Sequence, residues 1–314
     1  MRHFLDIEAL SAVDLRSILD EAHARKAART DGHKSWPKGK VDVDAPLVGH
    51  VLAAIFEKSS TRTRVSFDAA MRQLGGSTLV MDASSSQLGR GESIADTARV
   101  LSRMVDVIMM RANSHESLVE LAKYADVPVI NGLTDHSHPC QIIADLMTLE
   151  EAGIRLQGAK IAWAGDGNNV LTSFIHAAPK LGFSIVAACP AGFAPSRAVL
   201  QAAAKAGADV TIVDDVDLAV SGADCVATDT WVSMGDTNVS ERMQALGPYQ
   251  INDSVMARAK SSAVFLHCLP AHRGDEVTDA VMDSPQSRIF DEAENRIHAQ
   301  KAVLMWCFGT DDPR

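Results

Sequence analysis

The sequence predicts an α/β protein of two domains, each a mainly parallel sheet flanked by helices, with an active-site cleft between them. Three observations lead there. The length of 314 residues suits two domains, each with its own core. Apolar strand-like runs alternate with helix-like segments, the pattern of parallel sheets. Distinctive polar residues cluster just after the apolar runs, and open parallel sheets bind ligands outside the carboxyl ends of their strands.

The elements follow in chain order. Residues 11–29 read as an amphipathic helix, with Ser11 as N-cap and Asp14 three residues on. Apolar runs near 48–56, 77–82, 106–111 and 127–131 form a first set of strands, with helical patterns at 62–74, 93–104 and 116–125. A second set lies near 159–164, 184–189, 209–213, 224–229 and 263–268, with helices at 169–181 and 196–206. The domains are then 1–137 and 153–290, joined by a helix over 138–152. A closing helix, 291–314, is expected to pack back on the first domain. No internal repeat or low-complexity segment interrupts the pattern.

Composition narrows the function classes. Hydrophobic residues make up 46% and charged residues 22%, as in soluble globular proteins. No apolar run reaches the roughly 18 residues of a membrane span. The amino terminus meets Asp6 too early for a secretory signal, so a cytoplasmic location is expected. Cys140, Cys189, Cys225, Cys268 and Cys307 are odd in number and lack a C-x-x-C pair, which fits free thiols better than a disulfide framework. The net charge of −10 and the lack of a basic block argue against nucleic acid as a partner. An anionic substrate then needs a local cationic pocket.

Six motifs carry the chemistry. Ser59-Ser60-Thr61-Arg62-Thr63-Arg64, between a strand and a helix, offers free N–H groups, hydroxyls and guanidinium groups, the parts of a phosphate cradle; its plain reading is a helix cap. It is not a P-loop. Arg111 ends an apolar run and adds a second cation; alone it is an ordinary strand-end arginine. His138-Pro139-Cys140-Gln141 opens a helix, with Pro139 at the first position and His138 and Gln141 on one face, able to hold a carbonyl oxygen and an amide. Gly165-Asp166-Gly167-Asn168-Asn169 is a partial dinucleotide loop without its third glycine, and equally a turn presenting asparagine amides to a carboxylate. Asp229-Thr230-Trp231-Val232-Ser233-Met234-Gly235 ends a strand on a carboxylate suited to an ammonium group, and the polar stretch from Gly235 through Gln250 reads as a mobile lid. His267-Cys268-Leu269-Pro270 raises zinc and a Cys–His nucleophile. No partner cysteine has structural-zinc spacing, and adjacent strand residues point to opposite faces, leaving His267 poorly placed to activate Cys268.

Together these motifs, with Phe56-Glu57-Lys58 before the first and Ala293-Glu294-Asn295-Arg296 after the last, resemble the aspartate/ornithine carbamoyltransferase family, in particular its ornithine-using branch. They occur in the family's order over nearly the whole chain. The resemblance implies transfer of a carbamoyl group from carbamoyl phosphate to the side-chain amine of L-ornithine, within arginine metabolism, with no metal or organic cofactor. It implies that Ser60, Thr61, Arg62, Thr63 and Arg111 bind phosphate and that His138 and Gln141 hold the carbamoyl group. It assigns the backbone carbonyls of Cys268, Leu269 and Arg296 to the carbamoyl amide. Asn169, Asp229, Ser233 and Met234 would hold the amino-acid end of ornithine, with Cys268 near the reacting amine. The catalytic set would be Arg62, Arg111, His138 and Cys268. Gln87, in the exposed loop Ser84–Gly91, would reach a neighbour's site in a homotrimer. A nicotinamide-dependent oxidoreductase and a catalytically silent binding subunit are the rival classes; the incomplete glycine motif argues against the first, the intact phosphate and carbamoyl motifs against the second.

Overall fold

The computed structural model describes residues 1–30, 37–232 and 238–309. All nine apolar runs form strands: β1 (Val51–Phe56), β2 (Ser77–Asp82), β3 (Val107–Arg111), β4 (Val129–Leu133), β5 (Lys160–Ala164), β6 (Ser184–Ala188), β7 (Asp209–Val213), β8 (Cys225–Thr228) and β9 (Val264–His267). They make two all-parallel sheets, ordered β2-β1-β3-β4 and β7-β6-β5-β8-β9. The strand order reverses between β1 and β3 in the first sheet and between β5 and β8 in the second. Those reversals are where open parallel sheets form their ligand crevices.

Twelve α-helices are present among the described residues: α1 (Ala12–Thr30), α2 (Thr61–Gln73), α3 (Ile94–Leu101), α4 (His115–Tyr124), α5 (Pro139–Glu151), α6 (Asn169–Leu181), α7 (Arg197–Lys205), α8 (Val216–Val220), α9 (Val239–Leu246), α10 (Asp253–Met256), α11 (Asp279–Met282) and α12 (Ile289–Phe308). Ser11, Ser60, Ser93, Ser114, Asn168 and Ser196 accept a backbone N–H at the starts of α1, α2, α3, α4, α6 and α7. Each such cap contributes about 1 kcal/mol and fixes where the strand-to-helix turn ends. The short α8, α10 and α11 have no counterpart in the sequence pattern. The stretch from Gly235 through Gln250, expected as a lid, holds α9 and a 3-10 turn at Gly247–Tyr249. Of α9's eight residues only Leu246 is buried, so its apolar period is nearly invisible. The closing helix begins at Ile289 and runs to Phe308.

The chain divides into two compact units: Met1–Ile143 with the chain from Arg296 onward, and Ala144–Asn295. The division falls within α5 and within α12. In the first unit, Ile55, Ile108 and Met110 pack with Leu118 and Leu121. Phe4 pairs with β4 through its backbone, and Trp306 of α12 meets it edge-on at 6.1 Å while donating to Asp14. Lys301, fully buried, bonds Asp42 and Gln73, and burial lowers its pKa to about 8. In the second unit, Ala162, Val226 and Phe265 pack with Val220, Val255, Val277 and Met282.

Strand position in the sheet governs burial. Central β1 is buried along five of six residues, as expected where helices cover both faces. Edge strand β2 leaves Leu79 55% and Val80 45% exposed. No helix among the described residues is long and apolar enough to cross a membrane.

Candidate functional site

In the first unit the site begins where β1 and β3 end. Their register pairs Phe56 with Arg111, so both strands deliver their last residues at one level. From β1 the chain turns through Ser60, whose hydroxyl accepts the Thr63 N–H at 3.3 Å. Thr61, Arg62 and Thr63 therefore form the first turn of α2, where unpaired N–H groups and the helix dipole favour an anion. Arg64 turns away: it bonds Asp82 and stacks over Phe56 at 4.6 Å. The structure thus brings Ser60 through Thr63 and Arg111 to the strand ends, while Arg64 is engaged by Asp82.

Beside Thr63 lies a buried polar cluster. Arg296 donates from one guanidinium nitrogen to Gln141 Oε1 and from the other to Thr63 Oγ1 at 2.9 Å. A guanidinium only donates, so both partners must accept from it. The Thr63 hydroxyl proton is then directed elsewhere, and the Gln141 amide is held in one orientation. His138, buried just before α5, is driven well below the usual histidine pKa by burial first and then by the charges of Arg296 and Arg111. It is a neutral imidazole at neutral pH, able to donate a hydrogen bond without bringing another positive charge. Gln87 stands apart from this cluster, exposed at the start of the 3-10 turn Leu88–Arg90.

In the second unit the focus is Asp229, just past β8 and 8% exposed. Its Oδ2 accepts from Asn168 Nδ2 at 2.6 Å, and its Oδ1 accepts the Thr230 N–H at 2.8 Å and the Cys268 thiol at 3.0 Å. Asn168 does double duty, since its Oδ1 also caps α6. Asn169 is the first residue of that helix. Desolvation and the Asp229 carboxylate raise the Cys268 pKa well above the usual thiol value. Cys268 is therefore a neutral donor here, the opposite of an activated nucleophile.

His267 faces inward, fully buried. Its Nδ1 accepts the Leu269 N–H at 2.9 Å and its Nε2 meets Glu276 Oε1 at 3.2 Å, which fixes a neutral tautomer with the proton on Nε2. Asp229, His267 and Cys268 have metal-ligand chemistry and lie close together, but both nitrogens of His267 and the thiol of Cys268 already serve protein partners. In the partial dinucleotide loop, a Cβ on Gly167 would stand 2.4 Å from the Pro195 backbone nitrogen. The glycine is explained by a neighbouring loop, without a nucleotide.

The structure thus gathers Ser60, Thr61, Arg62, Thr63, Arg111, His138, Gln141 and Arg296 in one unit, and Asn169, Asp229, Cys268 and Leu269 in the other. Ser233 and Met234 lie outside the described residues. Sequence reasoning missed the side chains of Asn168, Arg296, Glu276 and Arg242. Asn168 had a signal, its place ahead of a helical pattern, and Arg296 closed a quoted motif; the partners Thr63 of Arg296 and Asp166 of Arg242 are far away in sequence, and Glu276, nine residues after its partner His267, stood in no motif.

The model of the aspartate/ornithine carbamoyltransferase carbamoyl-P binding domain matches residues 2–151, and that of the Asp/Orn binding domain matches residues 157–307. The chain belongs to the aspartate/ornithine carbamoyltransferase family. The ornithine carbamoyltransferase of Caulobacter vibrioides is 60% identical over 308 residues, 98% of each chain. The solved ornithine carbamoyltransferase of Pyrococcus furiosus superposes with a TM-score of 0.89 at 47% identity, covering 97% of this chain and 96% of that one. The anabolic ornithine carbamoyltransferase of Campylobacter jejuni gives 0.89 at 36% identity, covering 99% and 100%.

The lowered pKa of His138 has a thermodynamic consequence. As pH falls below the ordinary value of 6.5, the unfolded chain takes up a proton here that the folded chain refuses. Stability is lost on that side, by up to about 1.4 kcal/mol per pH unit for this group. His138→Asn removes the effect. Denaturant titrations from about pH 7.5 to about pH 5.5 should show wild type losing stability relative to the variant. A constant difference across that range would contradict a buried neutral His138.

Proposed function

We propose that the chain transfers the carbamoyl group of carbamoyl phosphate to the side-chain amine of L-ornithine, giving L-citrulline and phosphate. The observation that carries this reading is the buried Asp229 carboxylate, oriented by Asn168 and Thr230 and suited to an α-ammonium group. Ser60, Thr61, Arg62, Thr63 and Arg111 hold the phosphate. His138 and Gln141 hold the carbamoyl group, joined at its oxygen by Arg62 and Thr63. The carbonyls of Cys268, Leu269 and Arg296 take the carbamoyl amide. Asn169, Asp229, Ser233 and Met234 bind the amino-acid end, with Cys268 beside the amine. On this reading the first unit is the carbamoyl phosphate domain and the second the ornithine domain.

The chemistry follows from those roles. The free amine has a pKa of about 10 and must lose a proton before it attacks. Desolvation and neighbouring cations favour its neutral form. Its lone pair forms the N–C bond, and negative charge builds on the carbamoyl oxygen. Neutral His138, Arg62 and the Thr63 hydroxyl donate to that oxygen as a preorganised oxyanion site. The C–O bond to phosphate then breaks, and phosphate departs with the amine's proton. No step requires a metal or an organic cofactor.

The enzyme works as a cytoplasmic homotrimer, with Gln87 serving a neighbour's site. Five free cysteines, four of them buried, suit a reducing compartment. Edge strand β2 with exposed Leu79 and Val80 needs cover, and so do Val65 and Met104. Gln87 lies just beyond β2, past the 3-10 turn Ala83–Ser85. A closed ring of head-to-tail contacts covers such an edge on every copy.

Two experiments test this. With carbamoyl phosphate, L-ornithine should yield citrulline, while L-aspartate, putrescine and N-acetylornithine should yield little product. Each of those lacks the α-ammonium, lacks the carboxylate, or adds a second carboxylate. Asp229→Asn should weaken ornithine binding at least about ten-fold and carbamoyl phosphate binding less than about two-fold, read by calorimetry. Equal losses for both ligands would make Asp229 structural.

The shared site is tested by complementation. Arg62→Ala and Gln87→Ala proteins, each confirmed inactive, are dissociated, mixed and reassembled. Some mixed interfaces then pair two intact contributors, and activity returns. If verified mixed oligomers stay inactive, each site lies within one subunit.

A further inference from the structure

We propose that Arg242 is a positioning residue for the amino-acid acceptor, a role that rests on the reaction assigned above. Arg242 lies on α9, in the stretch read from the sequence as a lid, where no residue was singled out. Its Nε donates to the Trp231 carbonyl at 2.6 Å, and another guanidinium nitrogen bonds the Asp166 carboxylate. The guanidinium also stands 5.1 Å from the centroid of the Phe193 ring. One side chain thereby ties together the loops after β5, β6 and β8. It is 17% exposed, and Asp166 is 20% exposed, so water competes little for either group.

The two hydrogen-bonded loops carry the proposed acceptor residues. Asp166 lies two residues before Asn168, and Trp231 two residues after Asp229. Asn168 and Asp229 bond each other directly at 2.6 Å. From the inner side, Trp163 Nε1 donates to the Asp166 carbonyl at 3.0 Å, which steadies that loop alone. Arg242 spans both loops and so governs how the asparagine pair faces the carboxylate. The planar fork suits this task because it can serve a carbonyl and a carboxylate at once. A lysine ammonium at the same position can pair with Asp166 but loses the fixed geometry to Trp231.

The role makes a ligand-specific claim. Loosening these loops weakens capture of the amino acid, whereas the proposed phosphate residues Ser60 through Thr63 and Arg111 belong to the other unit of the fold. The probe is L-norvaline, which carries the α-amino and α-carboxyl groups of ornithine but lacks the reacting amine. Calorimetry on the full-length protein with saturating carbamoyl phosphate measures its binding without turnover. Arg242→Gln should weaken norvaline at least about ten-fold, with Arg242→Lys intermediate, while carbamoyl phosphate affinity stays within about two-fold. The KM for ornithine should rise far more than kcat falls. Asp166→Asn reaches the same interaction from its other side and serves if Arg242→Gln fails to fold. The double variant should be no worse than the weaker single one, because both break one contact. Unchanged norvaline affinity, or equal losses for both ligands, overturns the role. A wild-type protein that binds norvaline yet makes no citrulline overturns the assigned reaction and leaves the Arg242 comparison standing. A wild-type protein that does not bind norvaline overturns both.

Discussion

Parallel strands all release the chain at the same edge of the sheet. That constraint decides where chemistry can be placed in this protein. At each reversal of strand order, two loops leave in opposite directions and a gap opens between them. In the first unit the gap at β1 and β3 receives a helix start on one side and Arg111 on the other. In the second, the gap at β5 and β8 receives Asn168 on one side and Asp229 on the other. Anion-binding groups gather in one place and a carboxylate in the other. A reaction between an acyl phosphate and an amino acid needs both.

Charge management at these points follows one rule. Wherever a strong ion is buried, its neighbour is kept neutral or made to accept. Burial, helped by Arg296 and Arg111, keeps the imidazole of His138 unprotonated. Burial, helped by Asp229, keeps the Cys268 thiol protonated. Thr63 and Gln141 turn oxygen toward Arg296. Each of these groups would be misread from residue type alone: the histidine as a proton carrier and the cysteine as a nucleophile. Their surroundings leave the imidazole neutral and give the thiol proton to Asp229.

The fold was legible because its signals are local. Nine runs such as Val51–Phe56 are apolar enough to be strands, and caps such as Ser60 and Ser196 mark helix starts within three residues. The motifs were legible where they sit just past a strand or just ahead of a helix, as with Ser60–Thr63, His138 and Asp229. Legibility failed where the partner is remote. Arg296 reaches Thr63, 233 positions away, and Arg242 reaches Asp166 across 76. The motif offered the amides of both asparagines, and it took the structure to show that Asn168 is one that meets Asp229. Helix α9 escaped because eight residues with one buried position carry almost no period. Arg64 was a false lead of the opposite kind, a motif arginine whose charge is spent on Asp82.

For the proposed homotrimer, the edge strand β2 ties stability to dilution. A strand whose outer hydrogen-bonding groups and apolar side chains lack cover contributes less to an isolated copy than the same strand once sealed. In the proposed homotrimer the neighbour that seals it binds the native form and not the unfolded chain, so part of the fold's stability would be held in common among copies and follow their concentration. Melting temperature then becomes a property of the solution as much as of the sequence. During synthesis, the first copies released would be the most vulnerable, with Leu79 and Val80 presented to any other strand that can pair with them.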